Sequence, residues 1–276
     1  MILSELQPDQ RFEAWDGHVS AYEAVFEPFS LQFADVAIVR LGLSAGQSVL
    51  DLGAGSGGAA LAMAQLGCAV TAVDASPGMC ARISARAYAR SLPVRALCMD
   101  GQTLDFADAT FDAALSVFGV ILFPDAVKGL SEVRRVVRPG GRVAVVTWTE
   151  PHAYELAVEL RAAMTAIRPD PPSAGLPAQL RYRERADFAA LFQAAGFTHV
   201  DIDVCAASLQ APSARWLAEH LGFAPGMAAQ VAGLGTDAVA VKQRFAANLE
   251  ARLGTGAISL GGKAFVGVAQ KDAGRG

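Results

Sequence analysis

The run Val49-Leu-Asp-Leu-Gly-Ala-Gly-Ser-Gly57 carries an apolar stretch into a glycine-rich turn, and Asp74 closes the next apolar stretch, Ala69 to Val73. Gly53, Gly55 and Gly57 lack a Cβ, so the backbone can bend sharply at the end of a strand and approach a ligand closely, with the N–H groups of a helix start beyond. A carboxylate at the tip of the neighbouring strand can accept hydrogen bonds from both hydroxyls of a ribose. Together these residues have the chemistry of a nucleoside pocket. The glycines do not choose the nucleoside, because Gly53, Gly55 and Gly58 also satisfy the G-x-G-x-x-G of a dinucleotide site. Asp74 also has an ordinary structural role open to it, capping the helix that starts near Ser76-Pro77.

Such residues need a sheet to hold them. From Val49 to Trp148 short Val/Ala/Leu-rich runs alternate with longer helical ones, which predicts strands near 48–53, 69–74, 94–99, 111–117 and 142–148 and helices near 58–66, 77–90 and 125–138. Strand–helix alternation implies a parallel sheet covered on both faces, with ligands at the carboxyl ends of its strands. Gly67 and Pro139-Gly140-Gly141 read as helix stops. Beyond Trp148 a helix is expected over 153–167, then a proline-rich stretch from Arg168 to Pro177, read as a lid spanning 168–182. A helix over 184–195 follows, and alternating segments at 197–205 and 263–270 suit an antiparallel pair. Residues 212–253 read as two helical stretches separated by Gly233 to Gly235, more than a hairpin connection requires.

The chain has 276 residues, room for one catalytic core and a cap. Hydrophobic residues make up 53 % and charged ones 18 %, with mean hydropathy +0.32, yet no apolar run reaches membrane-spanning length. Net charge −4 and a pI near 5.6 argue against a nucleic-acid substrate. Arg134, Arg135, Arg138 and Arg142 surround a helix end and read as structural, and Arg181, Arg183 and Arg185 as a solvated face. Cys68, Cys80, Cys98 and Cys205 form no C-x-x-C pair and sit in or beside apolar segments, so buried reduced thiols are expected. With Glu5 and Asp9 early in the chain there is no signal-peptide pattern, and a cytoplasmic location is expected.

Four stretches in order resemble the class I S-adenosylmethionine-dependent methyltransferases, in particular their bacterial small-molecule branch: VLDLGAGSG at 49, VTAVDASPGM at 70, MDGQTLDF at 99, and FDAALSVFGVILFPD at 111 with RPGGRVAVVTW at 138. The resemblance implies an α/β fold, a doubly wound, mostly parallel seven-stranded sheet of Rossmann-like type with a helical cap insertion. It divides the chain into an N-terminal helical segment closing over the cofactor (1–45), a cofactor-binding core (46–150), a lid loop and completion of the core (151–210), a helical cap (211–254) and a final strand and tail (255–276). It implies S-adenosyl-L-methionine as cofactor, with Asp51 and Gly53 at the methionine end, Asp74 at the ribose, Met79 on one adenine face, and Asp100 with Gly101 at the adenine edge. Ala54, Gly55, Ala75, Ser116, Val117 and Phe118 join the cofactor set. Trp15, Tyr22, Ile121 and Phe123 are the implied acceptor residues. A polarizable Met against a purine and a carboxylate opposite an exocyclic amine agree with those roles.

Methyl transfer from a sulfonium needs a nucleophile held in line and water kept out, and no metal. The four histidines, His18, His152, His199 and His220, show no ligand spacing. If a general base is used, His152 is the first candidate, just past Trp148 at a strand end, and His18 the second. The expected acceptor is a small apolar or aromatic molecule, taken by a monomer or homodimer without nucleic acid or membrane. The competing readings are an NAD(P)-dependent oxidoreductase and a non-methylating binder or cyclase on the same fold. The oxidoreductase lacks its Tyr-x-x-x-Lys: Tyr88, Tyr154 and Tyr182 are followed four positions on by Leu92, Val158 and Ala186.

Overall fold

A computed structural model describes residues 6–169 and 176–273. Its single sheet has the order β3-β2-β1-β4-β5-β7-β6, built from β1 (Ser48–Leu52), β2 (Ala69–Asp74), β3 (Val94–Cys98), β4 (Phe111–Val117), β5 (Val137–Trp148), β6 (Val200–Ala211) and β7 (Ile258–Gln270). The first five strands run parallel, β7 pairs antiparallel to β5, and β6 antiparallel to β7. This is the seven-stranded, mostly parallel sheet that the resemblance implied.

Helices α1 (Phe12–Trp15), α2 (Val19–Val25) and α3 (Glu27–Leu41) precede the sheet. Helices α4 (Gly58–Gln65), α5 (Pro77–Ala89) and α6 (Ala126–Val136) connect its parallel strands, and α7 (Glu155–Ile167) and α8 (Arg185–Ala194) follow β5. The local signals act as expected. Ser76 accepts a hydrogen bond from Met79 N at 3.1 Å and Asp125 one from Lys128 N at 2.9 Å, each capping its helix. Leu50, Leu52, Val73, Leu115 and Val145 are buried, since helices cover both sheet faces.

Three departures have physical causes. Strand β5 starts at Val137, not near 142, so Pro139-Gly140-Gly141 lies inside it: Phe111 pairs with Val137 but Ala113 with Arg142, and the surplus residues bulge with Gly140 at φ +79°. A bulge tolerates a proline that donates no ladder bond. Strands β6 and β7 run the full Val200–Ala211 and Ile258–Gln270, longer than their alternation suggested, because Gly261 and Gly262 hide it. Gly262 has no room for a Cβ under the Phe29 ring. The stretch between β6 and β7 folds as three helices, not two: α9 (Ala214–Glu219), α10 (Pro225–Ala232) and α11 (Ala238–Leu253). Of the lid reading, residues 170–175 lie outside the described residues. Among the described residues no helix is long and apolar enough to cross a membrane.

The arginine clusters are tied down. Arg135 donates to the carbonyls of Leu104 and Phe106 and pairs with Glu132 and Asp108. Arg181 donates to the carbonyls of Phe123 and Pro124, Arg183 to that of Leu180 and Arg185 to that of Ile202, so the trio braces backbone; only Arg185 is exposed as the solvated-face reading expects.

Candidate active site

Strand order reverses between β1 and β4, and their carboxyl ends meet so closely that a Cβ on Gly53 would lie 2.8 Å from Gly119 Cα. Open α/β sheets bind ligands at such a switch point. Gly53 sits at φ +67° and Gly55 at φ +55°, and both Gly53 and Ala54 donate to the carbonyl of Val73, at 2.8 and 3.1 Å. A Cβ on Gly55 would meet the Tyr22 ring at 3.2 Å. The turn therefore needs glycine for conformation and for space.

A cavity of about 560 Å³ opens here, a size typical of small-molecule sites. Gly53, Gly55, Asp74, Ala75, Met79, Asp100, Gly101 and Val117 line it together with Trp15, Tyr22, Phe118 and Phe123; Tyr22 packs against Gly55 and Phe123 against Gly101. Sequence analysis had not assigned Phe26, Trp148, Tyr154, Phe223 or Met227 to it, yet they complete an aromatic wall. Trp148 stacks between Phe118 and Tyr154 with centroids 4.6 Å from each, and Phe26 lies parallel to Phe223 at 5.6 Å. Phe118 has a left-handed backbone, φ +57°, uncommon for a bulky residue, which turns its ring into this wall.

Asp74 uses each carboxylate oxygen once on backbone: Gly55 N donates to Oδ2 at 2.8 Å and Ser76 N to Oδ1 at 2.9 Å. Each oxygen keeps a lone pair open, and the cap of α5 is Ser76, not Asp74. Burial pushes its pKa up to about 6 against those hydrogen bonds. Asp51 is 1 % exposed, and its Oδ2 is buried without a hydrogen-bond partner. Desolvation first, then the charge of Asp74, raise it to about 7, with the Ala60 N–H opposing. An orphaned buried oxygen behind the glycine turn, a cradle that a Cβ would fill, and spare lone pairs at Asp74 fit a nucleoside cofactor with a cationic tail.

Five expected residues are not brought to the cavity. Asp51 lies behind the turn. Ala54 spends its N–H on β2. Ser116 is buried, donating to the Leu52 carbonyl at 2.7 Å and accepting from Val120 N at 2.9 Å, so it ties the end of β1 to the turn after β4. Ile121 is fully buried in the core, because successive residues of the tight turn Val120–Leu122 face different ways and Leu122 takes the cavity side. His152 points to solvent, its side chain 78 % exposed and paired with Glu150 at 2.9 Å; the turn Pro151–Ala153 carries it outward, and Tyr154 turns in instead. His18 does not line the cavity either; its Nδ1 lies 2.8 Å from the Gly222 carbonyl. Cys98 departs from the buried-thiol expectation, being exposed at the cavity edge. Among the described residues no group of His, Cys, Asp and Glu is arranged to hold a metal ion.

An N-terminal strap borders the cavity. The side chain of Gln7 accepts from Ala178 N and donates to the Leu176 carbonyl; Asp9 accepts from Gly226 N at 2.6 Å, at the start of α10; Asp16 accepts from Ser76 Oγ and Gly78 N at the start of α5. Burial raises the Asp9 pKa, with the Gly226 N–H and His18 opposing, whereas the hydrogen bonds from Ser76 and Gly78 lower that of Asp16.

Fold and cavity define an open α/β protein with a glycine-turn crevice beside an aromatic chamber. Residues 49–141 match the family model of the methyltransferase domain. An uncharacterized protein of Mycobacterium tuberculosis is 33 % identical over 155 residues, 55 % of this chain and 57 % of that one. The demethylmenaquinone methyltransferase of Corynebacterium kroppenstedtii is 40 % identical over 112 residues, 41 % of this chain and 46 % of that one. This chain thus spans little more than half the length of the curated relatives it matches. In fold it is similar to the Bacillus subtilis YcgJ protein, with TM-score 0.56, 22 % identity, and coverage of 87 % of this chain and 98 % of that one. It is also similar to the cyclase SpnF, with TM-score 0.56, 21 % identity, and coverage of 88 % and 81 %. Residues 49–141 thus match a methyltransferase domain, in agreement with the resemblance to the class I methyltransferases, which use S-adenosyl-L-methionine.

Proposed function

We propose that this protein moves the methyl group of S-adenosylmethionine to a small apolar or aromatic acceptor bound in the aromatic chamber. One observation carries the reading: a single cavity joins the Gly53–Gly55–Asp74–Met79 crevice to the Trp148–Phe118–Tyr154 wall. The cofactor supplies a methyl group already activated on sulfonium sulfur. The chain's part is to orient and to exclude water: Asp74 would hold the ribose, the charge of Asp51 behind the glycine turn would favour the cationic tail, and the aromatic wall would align a flat acceptor. Burial raises the pKa values of Tyr22 and Tyr154, so their hydroxyls stay protonated at neutral pH and serve as hydrogen-bond donors. The strap, residues 6–18, and the cap, α9 to α11, close the chamber, and the proposed small-molecule exchange needs neither membrane nor nucleic acid.

The test is calorimetry with S-adenosylmethionine and NAD, followed by an acceptor screen that reads release of S-adenosylhomocysteine. Demethylated quinones are the first compounds to try, given the name of the Corynebacterium relative. Binding of NAD alone would overturn the cofactor reading. Cofactor binding with no S-adenosylhomocysteine released across apolar, aromatic and polar acceptors would favour a non-methylating binder.

A further inference from the structure

Helix α4 starts at Gly58, directly after the glycine turn, where a dinucleotide site would seat its pyrophosphate. In this protein that place is filled from within. Glu27, at the start of α3, is 6 % exposed and directs Oε1 at the helix end. That one oxygen accepts from Gly58 N at 3.1 Å and from the Ser56 hydroxyl, and pairs with Arg86 Nη1 at 2.7 Å. Arg86, its side chain 12 % exposed, also donates to the Ser56 carbonyl at 2.8 Å. A Cβ on Gly58 would come within 2.8 Å of the Glu27 carboxyl carbon, so no space remains for a second anion.

We infer that Glu27 is a resident anion that stands in for a cofactor phosphate and so sets the specificity of the glycine turn for a phosphate-free cofactor. Three donors that would each recognise a phosphate oxygen, namely a helix-end amide, a hydroxyl and a guanidinium, converge on one carboxylate oxygen. A pyrophosphate arriving there meets a buried negative charge at contact distance, and the attraction of the helix end is already spent. Glu27 lies outside the cavity and touches no substrate; it acts by positioning Ser56 and Gly58, and with them the turn. The inference deepens the cofactor reading above and fails separately from it, because its test does not need S-adenosylmethionine.

Glu27→Ala removes the carboxylate and leaves Arg86, Ser56 and Gly58 facing a vacated space, so the variant should acquire a site for inorganic phosphate. Thermal unfolding is followed against phosphate, with chloride at matched ionic strength as control. Wild type should not respond to phosphate. Glu27→Ala should melt lower, and phosphate should restore it along a saturable curve with a midpoint of about 1 mM; adding Arg86→Met should abolish the restoration. If Glu27→Ala is recovered only by refolding, its refolding yield in phosphate against chloride carries the same readout. Restoration that saturates and depends on Arg86 supports the resident anion. A Glu27→Ala protein that melts like wild type, ignores phosphate, or responds equally to chloride overturns it. If wild type binds no S-adenosylmethionine while phosphate still restores the variant, the cofactor reading fails and this one stands.

Discussion

Lowering the pH should weaken cofactor binding while it stabilises the cofactor-free protein. Asp51 and Asp74 titrate near 7 and near 6 because both are desolvated, with the charge of Asp74 adding to the shift of Asp51 and that of Asp16 to the shift of Asp74. Folding raises both carboxyls above their ordinary 3.8, so between about pH 4 and 7 the folded state binds more protons than the unfolded one. Stability then falls as pH rises through that window, with Asp51 alone contributing about 4 kcal/mol. A cationic sulfonium and ammonium beside the glycine turn favour the ionised carboxylates and reverse the trend. At pH 6 about a tenth of Asp51 and about half of Asp74 are ionised; at pH 7.5 about three quarters and nearly all are. If the complex needs both charges, affinity should rise about fifteenfold across that range, over which an α-amino group stays largely protonated.

Titration calorimetry at pH 6.5 in two buffers of different ionisation enthalpy should count about one proton released per cofactor bound. Thermal unfolding of the free protein over the same pH range supplies the opposite slope. Affinity that is flat or falls from pH 6 to 7.5, with no proton released, would refute the placement of the cationic tail beside Asp51.

Asp74→Ala should weaken S-adenosylmethionine binding about ten- to a hundredfold by calorimetry, the loss of a two-point carboxylate contact worth about 1.5 to 3 kcal/mol. His152→Ala should leave turnover far above the loss of about a hundredfold or more that removal of a general base brings, whereas Phe118→Ala should raise the KM for the acceptor and lower the Tm, because the stack on Trp148 goes with it. Asp9 is a cavity-lining carboxylate with raised pKa on the strap, and it caps α10; Asp9→Asn, which can still cap, should keep most activity and an unchanged pH–rate profile, and loss of the profile's acid limb would make Asp9 a base.

The crevice was legible in the sequence because its parts are local. A glycine turn, a strand-end carboxylate and Met79 one helical turn into α5 each declare themselves within ten residues of a strand end. The chamber was not, since Phe26, the Trp148–Tyr154 pair and Phe223 come from three separated segments and read one at a time as core. His152 and Tyr154 show the limit well: both follow the same strand end, and only the direction of the turn Pro151–Ala153 decides that the tyrosine faces inward. Glu27 did leave a trace. It heads the stripe Ser30, Ala34 and Ala37, which flanks the aromatic stripe of the cap residue Phe26 with Phe29 and Phe33 of α3, and two adjoining apolar or small stripes imply a helix buried on more than one face. A glutamate on the smaller stripe has to be partnered, and only the fold reveals that its partner is the glycine turn.

Placing the acceptor among aromatic rings and protonated tyrosines has a chemical consequence. With His152 in solvent, His18 outside the cavity and the tyrosyl hydroxyls held neutral by burial, the aromatic wall supplies contact and donors, and the proton acceptors lining the cavity are carboxylates such as Asp9. An acceptor whose nucleophilic atom already carries its electron pair at neutral pH reacts there by alignment alone, at an approach of roughly 3 to 3.5 Å. An acceptor that must first lose a proton from a weak acid has no histidine to take it. The left-handed backbone of Phe118 fits this division of labour: a bulky residue is kept in a sparsely populated conformation, at a cost of about 1 to 3 kcal/mol, where its ring lines the cavity proposed to take the acceptor.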